Sequence, residues 1–422
     1  MQAEQGRKIG PVTGTFLVAT TMIGSGIYML PASAAAIGSI SLVGWIIAAM
    51  GAVLVGLTLA GLARVEPGGS YLDSIAQLLG ASAGLVATIL YIFSLLLSLP
   101  MVAVAAAGYT GFIFPALGSP QAVQWVSIGY IWLIVAIAWG GAASIARIAS
   151  LTLVVGMIPL VLVATSGWAH FDAEIFRGSW NISGKSNASA AMQATLLLFM
   201  AYLGLENASI VSDQMENPRR NVPIATIAGI LFATIVYVAS TTVISGLIPA
   251  ATLAKSHAPF AEATAIILGS VAALLVAVCG ATKAAGTLGA LQLGSIESLL
   301  VLKRQCSGSG MSRTATNIAV GLIATAIALA TASPDIASQF GLLATAMVTV
   351  CLFSYLLAGL ALVKARGGAL RLIGAAAILF ILGLLAVQPL GDMLLPAILV
   401  VGAIPLAWLL LAWRNRAVST PA

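Results

Sequence analysis

Apolar runs long enough to cross a lipid bilayer follow one another along almost the whole chain. The 422 residues are 60% hydrophobic and 7% charged, and the mean hydropathy is +1.09. Soluble domains do not reach this composition, and the hydrophobicity does not alternate with the period of two that a β-barrel needs. The sequence therefore predicts an all-α polytopic membrane protein.

Apolar runs of membrane-spanning length divide the chain into twelve predicted spanning segments. Arg7 and Lys8 precede a first run that is too long for the apolar core of a signal peptide and has no small-residue cleavage site, so no signal peptide is expected. The predicted segments run approximately over 11–38, 41–64, 83–113, 122–142, 148–168, 190–213, 223–248, 266–300, 317–332, 338–363, 369–388 and 394–413.

Basic residues fall mainly in the loops on one side of this arrangement. Alternating loops place 14 Lys and Arg on the side of the N-terminus and 3 on the opposite side, while Lys283 lies inside a span, which accounts for all 18. Because positive charge concentrates in cytoplasmic loops, both termini are predicted to be cytoplasmic, in a multi-pass protein of the cell (inner) membrane. The sequence has no basic soluble domain and no metal-ligand spacing, so no nucleic acid, metal or cofactor is expected.

The first segment carries the stretch from Met22 to Ile27, MIGSGI, at membrane depth. Two glycines around a serine lower helix propensity and leave main-chain groups free. Hydrocarbon tolerates free main-chain groups only where they line a cavity or meet a ligand. Two interpretations follow: a broken helix whose second half directs its positive N-terminal end at a carboxylate, or close packing between helices.

The sixth segment carries a second irregular stretch, from Phe199 to Ala208, with Gly204 and Glu206 at membrane depth. A lone carboxylate there costs several kcal/mol unless it is protonated, paired or hydrated. The two segments are five apart, which is the spacing of a five-helix inverted repeat. Interrupted helices in matching positions of two repeats indicate a binding site near the middle of the membrane, and this favours the broken-helix interpretation.

Four stretches of the sequence cover both irregular segments and two loops. They are Met22-Ile23-Gly24-Ser25-Gly26-Ile27-Tyr28-Met29-Leu30-Pro31-Ala32, Glu66-Pro67-Gly68-Gly69-Ser70-Tyr71, Gly204-Leu205-Glu206-Asn207-Ala208-Ser209 and Glu216-Asn217-Pro218-Arg219-Arg220-Asn221-Val222-Pro223-Ile224-Ala225. In this order they resemble the amino acid–polyamine–organocation (APC) transporters, nearest to their basic amino acid/polyamine antiporter branch, the arginine/agmatine type.

The resemblance implies the LeuT/APC fold: twelve transmembrane helices, a 5+5 inverted repeat plus two C-terminal helices, with the first and sixth helices discontinuous. The expected organisation is one transmembrane transporter domain over 1–422, with repeat 1 at about 11–168, repeat 2 at about 190–363 and the extra helices at about 369–413. The partners are then a small amino acid or amine and the lipid bilayer. A homodimer is one oligomeric state that the resemblance leaves open.

In this family, main-chain N–H groups and a hydroxyl at the first break hold the substrate's α-carboxylate, and carbonyl groups of both breaks meet its α-ammonium. The resemblance carries these roles to the run from Ile23 to Ile27 and to Met22 with Met200 to Leu203. The implied substrate-binding residues are Met22, Ile23, Gly24, Ser25, Gly26, Ile27, Ser94, Leu95, Leu99, Met200, Ala201, Tyr202, Leu203, Leu291 and Met347.

The antiporter branch also places a tyrosine, a glutamate and a second tyrosine beneath the substrate as a gate. The matching positions are Tyr91, Glu206 and Tyr355. Because burial disfavours the ionised form of a carboxyl group, Glu206 suits a proton-linked switch. The alternatives are a permanently protonated structural glutamate, and tyrosines that serve packing or the membrane interface.

The predicted side-chain pocket departs from the arginine-selective pattern. Met200 and Leu291 stand where that pattern has tryptophans that stack on the guanidinium. Leu99 and Met347 replace an asparagine and a serine. Each lost aromatic face removes a cation–π attraction of about 0.5–2 kcal/mol, and the lost polar groups leave a guanidinium unpaired. The pocket is therefore predicted to prefer a neutral or apolar side chain, or an aliphatic amine, over arginine.

Lys283 has no counterpart in the resemblance. In sodium-coupled relatives a cation lies between the first and eighth helices, and in some sodium-independent members a lysine of the fifth helix replaces it. The predicted fifth segment has no lysine. Three interpretations stay open for Lys283: a substitute for that cation, a snorkelling or hydrated lysine, and a direct contact with an acidic substrate.

The favoured function is a secondary active transporter that exchanges an amino acid for an amine or another amino acid. The alternatives are a proton-coupled symporter or exporter, and a genuine arginine/agmatine-type antiporter. A channel needs a continuous polar pore lining, and the spans offer too few polar residues. No enzyme is expected, because no Ser/His/Asp set or metal cluster is present in the sequence.

Overall fold

The computed structural model describes residues 10–65, 70–206, 215–307, 312–365, 368–389 and 391–419. These residues form α-helices joined by short turns, and no β-strand occurs among them. In chain order the helices are α1 (Pro11–Met22), α2 (Leu30–Ala35), α3 (Ser41–Val65), α4 (Tyr71–Leu79), α5 (Ala81–Ile113), α6 (Pro120–Ala138), α7 (Ala142–Ser166), α8 (Ala173–Gly178), α9 (Asn187–Phe199), α10 (Pro218–Leu247), α11 (Ala250–Leu253), α12 (Pro259–Leu268), α13 (Ser270–Ser307), α14 (Arg313–Ala330), α15 (Ile336–Ala365), α16 (Ala369–Val387) and α17 (Leu394–Ser419).

Nine helices in the described parts of the chain are long and apolar enough to cross a membrane. They overlap the predicted segments two, three, four and seven to twelve. The first and sixth predicted segments contain the shorter helices α1, with 12 residues, and α9, with 13, and the fifth contains the apolar stretch Val154–His170. The protein is therefore an all-helical, multi-pass membrane protein, and the count of twelve spans stays a prediction.

The centre of the bundle is formed by α5, which packs against α13 and α15. The apolar windows of α5 and α15 are 83% and 72% buried inside the protein, against 22% for α16 and 17% for α17. The two C-terminal helices therefore lie at the periphery, where their apolar side chains face outward. The interrupted helix α1 packs on α10, and α9 packs on α3.

Small residues allow the close contact between α3 and α9. A side-chain carbon added at Gly44 would lie 2.7 Å from Cβ of Ala194 and 3.0 Å from the main-chain nitrogen of Thr195. Glycine and alanine at helix interfaces let main chains approach closely in membranes. This contact fixes the position of α9, the helix that leads into the second irregular stretch.

We expect Gly44→Val to destabilise the protein, because the main chain of α9 cannot move aside for the added side chain. Overpacking of this kind costs about 1–3 kcal/mol. The matched control is Gly383→Val in α16, where nothing lies within 4 Å of the added carbon. Thermal unfolding in detergent should show a lower midpoint for Gly44→Val than for Gly383→Val; equal midpoints would contradict the close packing of α3 on α9.

Candidate binding site at two helix interruptions

The first interruption separates α1 from α2. The last regular bond of α1 runs from the Ile23 N–H to the Ala19 carbonyl, at 2.9 Å, and Gly24 is extended with φ −80° and ψ −172°. A 3₁₀ turn over Ser25–Tyr28 follows. The first N–H groups of a helical turn have no partner within that turn. The Ser25 hydroxyl is fully buried and has no hydrogen-bond partner within the described residues.

The second interruption follows α9. The helix ends at Phe199, a 3₁₀ turn occupies Met200–Tyr202, and Leu203 is extended with ψ 138°. Gly204 then has φ +106°, a conformation that residues with a Cβ rarely adopt. Two parts of the family-like stretches, Glu66 to Gly69 and Asn207 to Ser209, lie outside the described part of the chain.

The two interruptions touch each other. The Thr21 hydroxyl donates to the Gly204 carbonyl at 3.2 Å, and a side-chain carbon at Gly204 would lie 2.9 Å from the Thr21 carbonyl oxygen. The Met200 side chain covers Gly26, where an added carbon would lie 2.5 Å from Cε of the methionine. Main-chain groups of two separate helices are therefore held together in the interior of the bundle.

Glu206 lies at this junction with a side chain that is 5% exposed. Its Oε2 accepts a hydrogen bond from the Gly204 N–H at 2.9 Å and one from the Tyr355 hydroxyl at 2.9 Å. The Tyr71 ring contacts the rings of Tyr91 and Tyr355, with centroids 6.4 and 6.1 Å away. The three residues predicted as a gate are thus connected in the structure, through the carboxyl group and through Tyr71.

A cavity of about 490 Å³ lies beside the interruptions. Nine of the predicted site residues line it: Gly24, Tyr91, Ser94, Leu95, Leu203, Glu206, Lys283, Leu291 and Met347. The other predicted residues are not part of its lining: Met22, Ile23, Ser25, Gly26, Ile27, Leu99, Met200, Ala201, Tyr202 and Tyr355. Leu99, predicted to face the pocket, is completely buried, and Met200 packs on Gly26 instead.

Further lining residues were missed by the sequence-based prediction: Thr20, Thr21, Ser98, Ala149, Gly204, Gly286, Thr287, Ala290, Gly294 and Cys351. The spacing of residues along the sequence could have identified three of them. Lys283, Thr287, Ala290 and Gly294 follow one another at intervals of three or four residues, so they share one face of α13. A charged residue at membrane depth identifies that face as the inward one.

Lys283 reaches the cavity from between two helices. Its side chain is 6% exposed, and its stem lies against Gly156 of α7, where an added carbon would be 2.6 Å from Cδ of the lysine. The Tyr28 hydroxyl donates to the Gly156 carbonyl. One turn along α13, Cγ2 of Thr287 lies 3.8 Å from the position of a carbon added at Gly24. Lys283 and Thr287 therefore place one face of α13 against the first interruption.

Aromatic residues close the α2 side of the first interruption. The Tyr28 ring contacts the rings of Tyr109 and Phe260, with centroids 5.5 and 5.4 Å away. The Tyr109 hydroxyl donates to the Tyr28 carbonyl at 3.1 Å and accepts from the Phe260 N–H at 3.3 Å. These contacts tie the 3₁₀ turn over Ser25–Tyr28 to α5 and α12.

The fold and the site define a polytopic helical membrane protein with a small, partly polar cavity beside two helix interruptions. Residues 9–387 match the family described as amino acid permease. The chain belongs to that family, within the APC superfamily and its basic amino acid/polyamine antiporter branch.

Three relatives show the extent of the similarity. The putrescine transporter PotE of Escherichia coli (strain K12) is 32% identical over 380 residues, 86% of this chain and 85% of the relative. A cadaverine/lysine antiporter of the same strain is 35% identical over 274 residues, 64% of this chain and 61% of the relative. PotE of Haemophilus influenzae is 36% identical over 261 residues, 61% and 60% respectively. The chain thus spans less than two thirds of the last two relatives.

We expect Gly204→Ala to destabilise the junction of the two interruptions, because the added carbon meets the Thr21 carbonyl and the positive φ becomes strained. The cost of such strain is about 1–3 kcal/mol. Gly294→Ala is the matched control, since it also lines the cavity but has nothing within 4 Å of the added carbon. Thermal unfolding in detergent measures both; a midpoint for Gly204→Ala at or above that of Gly294→Ala would contradict the tight junction.

Proposed function

We propose that this chain is a secondary active amino acid transporter that exchanges an amino acid for an amine or for a second amino acid. The observation that carries the proposal is the cavity of about 490 Å³ at the point where two interrupted helices meet. Membership of the amino acid permease family and the names of the relatives, which refer to lysine, cadaverine and putrescine, support it.

The architecture that fits this function is one domain of twelve transmembrane helices, with a 5+5 inverted repeat and both termini cytoplasmic in the inner membrane. The first and sixth helices are its discontinuous members. The end of α1 at Met22 and the end of α9 at Phe199 support this assignment. A helix interruption supplies main-chain dipoles of both signs, which suits a zwitterion in a low-dielectric site.

In the proposed site, the N–H groups at Gly24 to Ile27 bind the substrate carboxylate and main-chain carbonyls of the two interruptions bind its ammonium. The rest of the chamber accommodates the substrate side chain. Leu95, Leu291 and Met347 form its apolar lining, beside the polar Ser94, Ser98 and Glu206. The apolar part supports a neutral or apolar side chain, because Leu291 and Met347 supply neither the tryptophan face nor the serine hydroxyl of the arginine-selective pattern.

Glu206 with Tyr91 and Tyr355 forms the proposed gate and proton-coupling group. The hydrogen bonds from Gly204 and Tyr355 link its carboxyl group to the second interruption and to α15. Protonation removes one acceptor site and replaces it with a donor, so these contacts change with the state of the carboxyl group. Its position lets one proton alter the contact between two elements that border the cavity.

In this proposal the ammonium group of Lys283 replaces the cation that sodium-coupled relatives bind. Transport is then independent of sodium. The lysine lies in the cavity wall between α7 and the first interruption, which supports the proposal. Proton-coupled symport or export is the second candidate function, favoured by the buried Glu206. An arginine/agmatine-type exchanger is the third, favoured by the family branch.

We expect purified protein in liposomes to take up labelled leucine, methionine or alanine only when the lumen holds an exchangeable amino acid or amine. Labelled arginine should be exchanged more slowly, because Met200 and Leu291 replace the tryptophans that stack on a guanidinium in the arginine-selective pattern. The measurement is counterflow with loaded and empty liposomes, with and without a pH gradient. Uptake into empty liposomes that follows the pH gradient would reject obligatory exchange, and faster exchange of arginine would reject the proposed pocket.

We expect Glu206→Gln to remove most of the pH dependence of exchange between pH 5 and 8, because the amide keeps an acceptor for Tyr355 but binds no proton. The pH profile of leucine exchange measures the effect. Glu174→Gln is the control, since this glutamate lies in the short helix α8 and is exposed. A profile for Glu206→Gln that follows the wild type would exclude Glu206 as the coupling group.

A further inference from the structure

Lys283 places a cationic side chain in the chamber without a protein partner. The side chain is 6% exposed and lines the cavity. No hydrogen bond or ion pair to it occurs among the described residues, where the ion pair found is Arg313 with Glu297. The carboxyl group of Glu206, in the same cavity, is bonded to Gly204 and Tyr355 instead. A buried cation without a partner is costly, and a bound anion lowers that cost.

Two hydroxyl groups at the first interruption also lack partners. The Ser25 Oγ and the Thr287 Oγ1 are buried and make no hydrogen bond within the described residues. Ser25 begins the 3₁₀ turn of the first interruption, and the Thr287 side chain approaches Gly24. Buried hydroxyls are nearly always hydrogen-bonded in proteins, so the hydroxyl of Thr287, a residue that lines the cavity, is available to a bound ligand.

The position of Lys283 is fixed by the same interruption. Its stem fills the space at Gly156, whose carbonyl accepts the hydroxyl of Tyr28 at the end of the 3₁₀ turn. Thr287, one turn along α13, reaches Gly24 at its beginning. The helix face that carries Lys283 and Thr287 thus borders the first interruption.

We infer that Lys283 and Thr287 complete a carboxylate subsite at the first interruption, so that this chain selects substrates that carry a carboxylate and rejects their decarboxylated amines. The inference rests on the proposed function and narrows it to exchange of one amino acid for another. An alkylamine would leave the lysine unpaired, and a diamine would bring a second cation to it. Relatives named for cadaverine and putrescine would then differ from this chain in substrate.

The experiment is exchange of labelled leucine in liposomes, competed by unlabelled leucine or by 3-methylbutylamine, which is leucine without its carboxylate. In the wild type the amine should need a concentration about 10- to 100-fold higher for half inhibition, the ratio that a charge-assisted contact supplies. In Lys283→Met this ratio should fall about tenfold, chiefly because leucine binds more weakly. Lys283→Arg should keep the ratio, since it keeps the charge.

Two variants control the measurement. Lys255→Met removes an exposed lysine outside the cavity and should leave the ratio unchanged. Thr287→Val keeps the shape of the side chain, removes its hydroxyl and should lower the ratio less than Lys283→Met does. If Lys283→Met no longer exchanges, shifts of the unfolding midpoint by leucine and by the amine give the same ratio from binding alone.

Each result decides the inference. An unchanged ratio in Lys283→Met, with or without new sodium dependence, overturns the carboxylate subsite. A wild type that exchanges leucine and the amine equally well also overturns it, but leaves the proposed exchange function intact. A wild type that exchanges no amino acid and no amine overturns the proposed function itself, which separates the two failures.

Discussion

Main-chain polar groups inside a membrane must find partners, and this requirement governs the whole site. A helix satisfies its own N–H and C=O groups, whereas an interrupted helix does so only in the protein interior or with a ligand. Here the interruptions at Gly24 and Gly204 face each other and share the hydrogen bond from Thr21. The long helices α5, α13 and α15 surround them with buried apolar residues. Because these helices bury the interruptions inside the protein, irregular main chain is tolerated at membrane depth.

Much of this arrangement could be predicted from the sequence, because the signals are local. Apolar run length identifies spans, and nine of the predicted segments overlap long apolar helices in the described residues. Glycines at positions 24 and 204 mark irregular main chain, and φ +106° at Gly204 gives a steric reason for the second of them. Glu206 and Lys283 stand out because charge at membrane depth is rare and expensive.

The lining of the chamber could not be predicted as fully, because it depends on how each helix is rotated. Met200 was expected in the pocket, but its side chain turns onto Gly26. Leu99 was expected there too, yet it lies wholly in the core. Thr287 faces the chamber because Gly286 beside it admits the Thr152 side chain of α7, which sets the rotation of α13. Such long-range contacts leave no signal in spacing alone.

Two side chains that line the cavity, Glu206 and Lys283, differ in whether the protein gives them a partner. The carboxyl group of Glu206 accepts hydrogen bonds from Gly204 and Tyr355, so groups of the protein itself stabilise it. The stem of Lys283 packs against Gly156, and its ammonium group has no hydrogen-bond or ion-pair partner among the described residues. Attraction between charges in a low-dielectric cavity is strong at short range, so in the proposed site Lys283 rather than Glu206 orients the bound substrate. In that proposal the uncharged part of the substrate lies against Leu95, Leu291 and Met347.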